Sequence, residues 1–164
     1  MQVAICGTGS PIDKELAQLA ESLGAQLASG GYTLVCGGLG GVMEAAARGA
    51  RQAGGLVVGI LPTSHAQDAN PFCSVVIPTG LGEARNVLVV RAADVVVLMA
   101  GGAGTLAEAA LAWQAGKPII ALAPSGGWAQ ELAGRAIDDR RSDVIGWASS
   151  VDEVIAFVKA RRSD

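Results

Sequence analysis

Short, almost wholly apolar runs alternate along the chain with longer segments whose apolar residues recur at helical spacing. The apolar runs predict strands at residues 3–6, 32–36, 56–60, 74–77, 95–99, 119–122 and 144–147. The amphipathic segments predict helices at residues 11–28, 42–53, 83–92, 105–114, 128–137 and 151–161. Strands that are apolar on both faces are typical of parallel sheets covered by helices on each side. The alternation therefore predicts an α/β fold with a doubly wound, mainly parallel sheet and helices on both faces, a Rossmann-like architecture.

The composition narrows the class of protein. The chain has 164 residues, which fits one domain over residues 1–164, and its 51% hydrophobic against 16% charged residues exclude disorder. A formal net charge of −3 without an extended basic cluster argues against nucleic-acid binding. We expect no targeting segment and no membrane span, which favours the cytoplasm. Three cysteines without CxxC spacing and one histidine, His65, argue against a metal site.

Glycines gather where the predicted strands end. Three glycine-rich loops, at residues 7–10, 37–41 and 101–105, each follow a predicted strand. In a parallel sheet these loops share the carboxyl edge, where open α/β sheets bind ligands, and a helix N-terminus there attracts anions. The alternative is three tight turns without a ligand. The candidate contacts to a phosphate or nucleotide are Gly7, Gly9, Ser10, Gly38, Gly40, Gly41, Gly101, Gly102, Gly104 and Thr105.

Two standard nucleotide motifs are incomplete or missing. Residues 102–107 match the GxGxxG/A dinucleotide fingerprint, but the next predicted strand ends at Leu122 without the acidic residue that binds the ribose hydroxyls. The GxxxxGK[ST] loop of P-loop proteins does not occur. The sequence therefore disfavours NAD binding and ATP hydrolysis of the P-loop type, and we expect no cofactor.

Two charged residues accompany the third loop, and each has two interpretations. Glu108 lies in the helix predicted after the loop. It is either a catalytic carboxylate beside a bound phosphate or the last residue of a capping box that begins at Thr105. Arg85 precedes the strand that leads into the loop. Its guanidinium suits a phosphate or a base edge, and the alternative is a surface ion pair with Glu83 or Asp94.

The glycine motifs resemble those of the lonely-guy family. Residues 37–43, GGLGGVM, resemble its GGGxxGxM run, and residues 100–108, AGGAGTLAE, resemble its PGGxGTxxE motif. Arg85 and Glu108, 23 positions apart, match the arginine and the glutamate that the family needs for activity. Met43 matches the methionine of the first motif and joins the candidate ligand contacts. The resemblance extends from residue 3 to about residue 122.

This resemblance implies a Rossmann-like fold, usually dimeric, that binds a nucleoside 5′-monophosphate. It also implies hydrolysis of the N-glycosidic bond to the free base and ribose 5-phosphate, with Arg85 and Glu108 as the catalytic residues. A nearby carboxylate would stabilise the oxocarbenium-like transition state of that reaction.

Residues 80–86, GLGEARN, are more similar to a sister branch that includes molybdenum-cofactor carriers. Three departures from the lonely-guy pattern accompany this likeness: Asn86 replaces a lysine, Val89 a methionine and Ala100 a proline. The sister branch implies a carrier or sensor of a phosphorylated ligand such as molybdenum cofactor. The expected partner is thus a small nucleotide or pterin phosphate, with no nucleic acid and no membrane, and we expect a homodimer or higher homo-oligomer.

Overall fold

The computed structural model describes residues 1–162 and confirms the Rossmann-like α/β fold. Seven strands form one sheet in the order β4-β3-β2-β1-β5-β6-β7, and every neighbouring pair is parallel. The predicted strands are confirmed, with bounds that shift by at most two residues. The strands are β1 (Gln2–Gly7), β2 (Thr33–Cys36), β3 (Val57–Leu61), β4 (Val75–Pro78), β5 (Val95–Met99), β6 (Ile119–Leu122) and β7 (Gly146–Ala148).

Helices cover both faces of the sheet. They are α1 (Lys14–Ser29), α2 (Gly41–Gln52), α3 (Asn86–Arg91), α4 (Ala103–Gln114), α5 (Gly127–Leu132) and α6 (Val151–Ala160). Side chains alternate across each strand, so that Val3 and Ile5 of β1 pack with α1, α2 and α6. Ala4 and Cys6 pack on the other face with α3, α4 and α5. None of the helices within residues 1–162 is long and apolar enough to cross a membrane.

Several predicted helix bounds are wrong, for local reasons. The first helix begins at Lys14 instead of residue 11, because the Asp13 carboxylate accepts a 2.8 Å hydrogen bond from the Leu16 backbone N–H and caps the helix. The helix predicted at residues 83–92 is divided into a 3₁₀ turn, Gly82–Arg85, and the short α3. The helix predicted at residues 128–137 ends at Leu132.

The topology places the three glycine loops along one edge. From β1 the chain winds outward through β2, β3 and β4, then returns to β5 on the opposite side of β1. The winding direction therefore reverses between β1 and β5, whose last residues, Gly7 and Met99, are register partners. The loop after Cys36 leaves the same carboxyl edge one strand away. A crevice at such a reversal is where doubly wound sheets bind ligands.

Two glycines let α1 and α2 pack in close contact beside the sheet. A Cβ at Gly24 of α1 would overlap the backbone oxygen of Ala46, and a Cβ at Gly49 of α2 would overlap that of Glu21. The overlaps are with helix backbone, which cannot rotate away as a side chain can. The two helices can therefore approach this closely only while both positions lack a side chain.

Gly24→Ala should destabilise the protein by about 1–3 kcal/mol, the cost of overpacking a filled contact. The free energy of unfolding in urea measures this. Gly104→Ala is the matched control, because Gly104 also lies in a helix but has nothing within 4 Å of an added Cβ. We expect no loss of stability in the control. Equal stability of Gly24→Ala and the wild type would contradict the proposed packing constraint.

Candidate functional site

The loops after β1 and β2 and the start of α4 enclose a small cavity of about 160 Å³. Its walls combine glycine backbone with two buried charged side chains, Arg85 and Glu108, which are each 6% exposed. The lining residues are Gly7, Gly9, Leu39, Met43, Glu83, Arg85, Asn86, Gly104 and Glu108. The sequence predicts six of these nine as site residues, and the structure brings them together from four separate segments of the chain.

Arg85 is held at the end of the 3₁₀ turn by two hydrogen bonds and one ion pair. Its Nη1 donates to Asn86 Oδ1 at 2.8 Å, and its Nη2 donates to the Gly37 carbonyl at 3.4 Å. Its Nη1 also lies 3.7 Å from Glu108 Oε1, the ion pair that the structure gives this arginine. Asp94 instead accepts a hydrogen bond from the Gln2 backbone. Arg85 is therefore a buried, oriented cation, and the proposed surface pair is wrong.

Glu108 lies in the second turn of α4, and its carboxylate points to Arg85 rather than to the helix start. The helix begins at Ala103 with Gly102 as the N-cap residue, and no side chain caps it. Thr105 is thus already inside the helix, where a capping box would need it to be the N-cap. The capping-box interpretation of Glu108 is wrong for this physical reason.

The burial of Glu108 changes its chemistry. Loss of solvent raises the pKa of Glu108 from 4.5 to about 7, although the Arg85 guanidinium and a hydrogen bond from the Cys6 thiol act to lower it. The nearby Glu83 carboxylate adds a smaller increase to the pKa. A carboxyl group with a pKa near neutrality exchanges a proton at physiological pH, which suits acid–base work.

The other predicted contacts shape the loops without lining this cavity. Gly38 and Gly41 have φ of +75° and +61°, which favour glycine, and Gly40 precedes α2 as its N-cap residue. Gly101 packs against the Thr105 side chain, whose buried Oγ1 has no hydrogen-bond partner among the described residues. The remaining two, Ser10 and Gly102, lie at the loop ends outside the cavity lining.

A larger, mostly apolar cavity of about 540 Å³ adjoins the charged one. The two cavities share Glu83, Asn86 and Gly104. The larger one lies between the turn that carries Arg85 and the outer side of α4. The lining residues are Glu83, Ala84, Asn86, Val87, Ala103, Gly104, Ala107 and Leu111. Together the two cavities offer a charged end and an apolar end, a combination that suits a ligand with a polar group and a planar ring.

Sequence reasoning missed Asn70 in the loop between β3 and β4, which holds the second glycine loop in place. The Asn70 side-chain amide donates to the Leu39 carbonyl at 3.0 Å, and its backbone N–H donates to the Gly38 carbonyl at 2.8 Å. Its Oδ1 accepts from the Phe72 backbone. No periodic pattern marks such a residue, although asparagine often bonds nearby backbone in this way.

Ala100 departs from the resembled motif for a structural reason. Its φ is +52°, and its N–H donates to Ser125 Oγ at 2.7 Å. A proline has φ near about −65° and no N–H, so it fits neither condition. The carbonyls of Ala100 and Gly101 accept from the start of α5, from Ala129 and Trp128 respectively. This loop is therefore fastened to α5 by contacts that a proline would break.

Sequence reasoning also left out Gly37, although it borders the guanidinium of Arg85. An added Cβ at Gly37 would lie 2.7 Å from Arg85 Nη1, closer than atoms tolerate. The obstructing atoms belong to a long side chain, so the fold can keep its backbone while Arg85 moves. Gly37 therefore sets the space in which the guanidinium faces Glu108.

Gly37→Ala should displace Arg85 and raise the pKa of Glu108 above its value of about 7, because the guanidinium is the main influence that lowers it. A carboxyl carbon NMR titration of the variant and the wild type measures the change. Arg85→Met should shift the titration in the same direction, which supplies a comparison. An unchanged Glu108 titration in Gly37→Ala would show that the guanidinium stays in place.

Comparison with known proteins gives the family. The model of the SLOG cluster4 family matches residues 1–155. A cytokinin riboside 5′-monophosphate phosphoribohydrolase from Mycobacterium tuberculosis is 36% identical over 134 residues, which cover 76% of this chain and 71% of that protein.

Solved structures point to a second group. The molybdenum cofactor binding protein from Rippkaea orientalis is 34% identical with a TM-score of 0.86, over 97% of this chain and 95% of that one. The molybdenum cofactor carrier protein from Chlamydomonas reinhardtii is 31% identical with a TM-score of 0.85, over 99% of each chain. Both resemblances, one drawn from the glycine motifs and one from residues 80–86, are thereby confirmed. The chain belongs to the SLOG cluster4 family.

Proposed function

We propose that the protein binds a nucleoside 5′-monophosphate at the carboxyl edge of the sheet and hydrolyses its N-glycosidic bond. The observation that carries this proposal is the buried pair of Arg85 and Glu108, 3.7 Å apart, with a pKa of about 7 for the glutamate. The similarity to a phosphoribohydrolase supports the same reaction class.

The ligand lies with its phosphate at the N-terminus of α4. The backbone N–H groups of the first turn have no partner within the helix, and the helix dipole adds positive potential there. Gly102 and Gly104 leave open space around that turn, since nothing lies within 4 Å of an added Cβ at either position. The base then occupies the apolar cavity, and the ribose passes Glu108.

The reaction breaks the bond between C1′ of the ribose and the base nitrogen. The Glu108 carboxylate stabilises the positive charge that develops on the sugar and accepts a proton from the attacking water. The water oxygen bonds to C1′, and the base nitrogen takes up a proton from solvent. Arg85 remains charged throughout and donates hydrogen bonds to the base or the phosphate. The products are the free base and ribose 5-phosphate.

A second candidate function is a carrier of a phosphorylated pterin such as molybdenum cofactor. Two observations favour it: the near-complete coverage by solved structures of a molybdenum cofactor binding protein and a molybdenum cofactor carrier protein, and the likeness of residues 80–86 to the branch that includes such carriers. The two candidates share the phosphate site and differ in turnover.

Millimolar inorganic phosphate or AMP should raise the melting temperature, because only the folded protein holds the phosphate site. At a ligand concentration of about one hundred times Kd the stabilisation is about 2.7 kcal/mol. Differential scanning calorimetry measures it, and chloride at equal ionic strength is the control. Unchanged melting across phosphate, AMP and GMP would contradict the phosphate site itself.

Turnover separates the two candidates. Wild type incubated with a panel of nucleoside 5′-monophosphates should release ribose 5-phosphate, and native mass spectrometry of the freshly purified protein identifies what it holds. A protein that releases no ribose 5-phosphate from any nucleotide and retains a pterin phosphate is a carrier, and the hydrolase proposal is then wrong.

A further inference from the structure

Two cysteines that lie 37 positions apart in sequence meet beside the second glycine loop. Cys36 is the last residue of β2 and is fully buried, and Cys73 precedes β4 and is partly exposed. Gly59 of β3 is the register partner of Cys36. A Cβ at Gly59 would lie 2.6 Å from Cys73 Sγ, so this sulfur fills the space that the missing side chain leaves. Neighbouring strands are about 4.8 Å apart, which brings the two sulfurs together.

The two thiols differ in their readiness to react. The hydrogen bond from the Cys36 thiol lowers the pKa of Cys73, burial opposes this, and a hydrogen bond from the Asn70 side chain adds to the lowering. The hydrogen bond to Cys73 and burial raise the pKa of Cys36. Thiolates are the reactive form of cysteine, so Cys73 is the nucleophile and Cys36 is the neighbour that reacts second.

We propose that Cys36 and Cys73 form a dithiol modification site at which hydrogen peroxide produces a reversible intramolecular disulfide. The Cys73 sulfur attacks one peroxide oxygen, the O–O bond breaks, and water leaves as Cys73 becomes a sulfenic acid. The Cys36 sulfur then attacks the Cys73 sulfur, the S–O bond breaks, and a second water leaves. The two thiols lose two electrons and two protons in total, and the peroxide is reduced to two waters.

The disulfide would join the two segments that support the candidate site. Cys36 precedes Gly37, whose carbonyl accepts from Arg85, and Cys73 follows Asn70, which holds the Leu39 carbonyl. Cys6 cannot take part, because it packs on the opposite face of the sheet from Cys36. Cys6 is therefore an internal control for a change confined to the pair.

The test is to treat the reduced full chain with hydrogen peroxide, denature it, alkylate the free thiols and digest it with trypsin. The three cysteines fall in three different tryptic peptides, residues 1–14, 15–48 and 52–85, so mass spectrometry assigns each one. We expect the second and third peptides to be joined, lighter than their sum by two hydrogen atoms, and the first to be alkylated. A dithiol reductant should restore three alkylated peptides.

Variants identify the order of the steps. Cys36→Ser should stop at the Cys73 sulfenic acid, which dimedone traps, whereas Cys73→Ser should retain an alkylatable Cys36. Cys6→Ala should form the disulfide as the wild type does. Three alkylated peptides from peroxide-treated wild type would overturn the proposal, and so would a linkage between the two peptides that occurs only in covalent dimers. The two results that would overturn the proposal are both measured on the wild type, so they do not depend on whether any variant folds.

Discussion

Replacing Glu108 by glutamine should slow the release of ribose 5-phosphate by a factor of about one hundred or more. The loss is the scale typical of a removed electrostatic stabiliser in a dehydrated site, about 2.7 kcal/mol of transition-state stabilisation. Glutamine has nearly the shape of glutamate, but it supplies no negative charge and accepts no proton from water. The measurement is kcat for the best nucleotide of the panel in wild type and Glu108→Gln.

Glu83→Gln is the matched control for this experiment. Glu83 lies in the same cavity as Glu108 but is exposed to solvent, where its charge is screened. We expect its removal to cost far less activity than the removal of Glu108. Comparable losses in the two variants would mean that both carboxylates act in the reaction, and full activity in Glu108→Gln would contradict the proposed mechanism.

Wild type should lose about 3 kcal/mol of stability relative to Glu108→Gln as the pH rises from about 4 to about 8. The pKa of Glu108 is raised from 4.5 to about 7 in the folded protein, so the folded state binds the proton more tightly. The unfolded chain therefore releases its proton first, and each pH step through this window favours unfolding. Above about pH 8 Glu108 is deprotonated in both states and the loss is complete.

The measurement is the free energy of unfolding in urea for both proteins across this pH range. Groups that do not interact with Glu108 titrate alike in both proteins, so their contributions cancel in the difference between them. Arg85 is present in both proteins and stays charged at every pH. It therefore shifts the difference in unfolding free energy by a constant and does not change how that difference varies with pH. A difference that is flat between about pH 4 and about pH 8 would contradict the raised pKa of Glu108.

The sequence alone determined the fold and the edge at which the candidate site lies. Strands such as Val95–Met99 are apolar throughout, and every residue of that strand is buried in the structure. This local pattern can be recognised without knowing which strands and helices pack against it, because a strand that is apolar on both faces is favourable in a sheet covered on both sides. The parallel arrangement then places the glycine loops at one edge, and four of the predicted ligand contacts line one cavity there, together with the two residues predicted as catalytic.

Helix ends were less well predicted than strands, because residues only a few positions apart compete for the N-cap position of a helix. The first helix begins after Asp13 instead of at residue 11, and the N-cap residue of α4 is Gly102 instead of Thr105. In each case the observed position and the predicted one lie only a few residues apart. The choice between them depends on where the preceding strand ends and in which direction the chain leaves it, which no local pattern encodes.

Only the tertiary structure decided what the residues of the site can do. Gly37 leaves space for Arg85, Asn70 holds the Leu39 carbonyl, and Cys36 meets Cys73 through contacts between residues tens of positions apart. The sequence supplied the carboxylate of Glu108, whereas its pKa of about 7 comes from burial and from one cation at 3.7 Å. The chemical identity of a side chain is local, but its solvation and its neighbours arise only when the whole chain has packed around it.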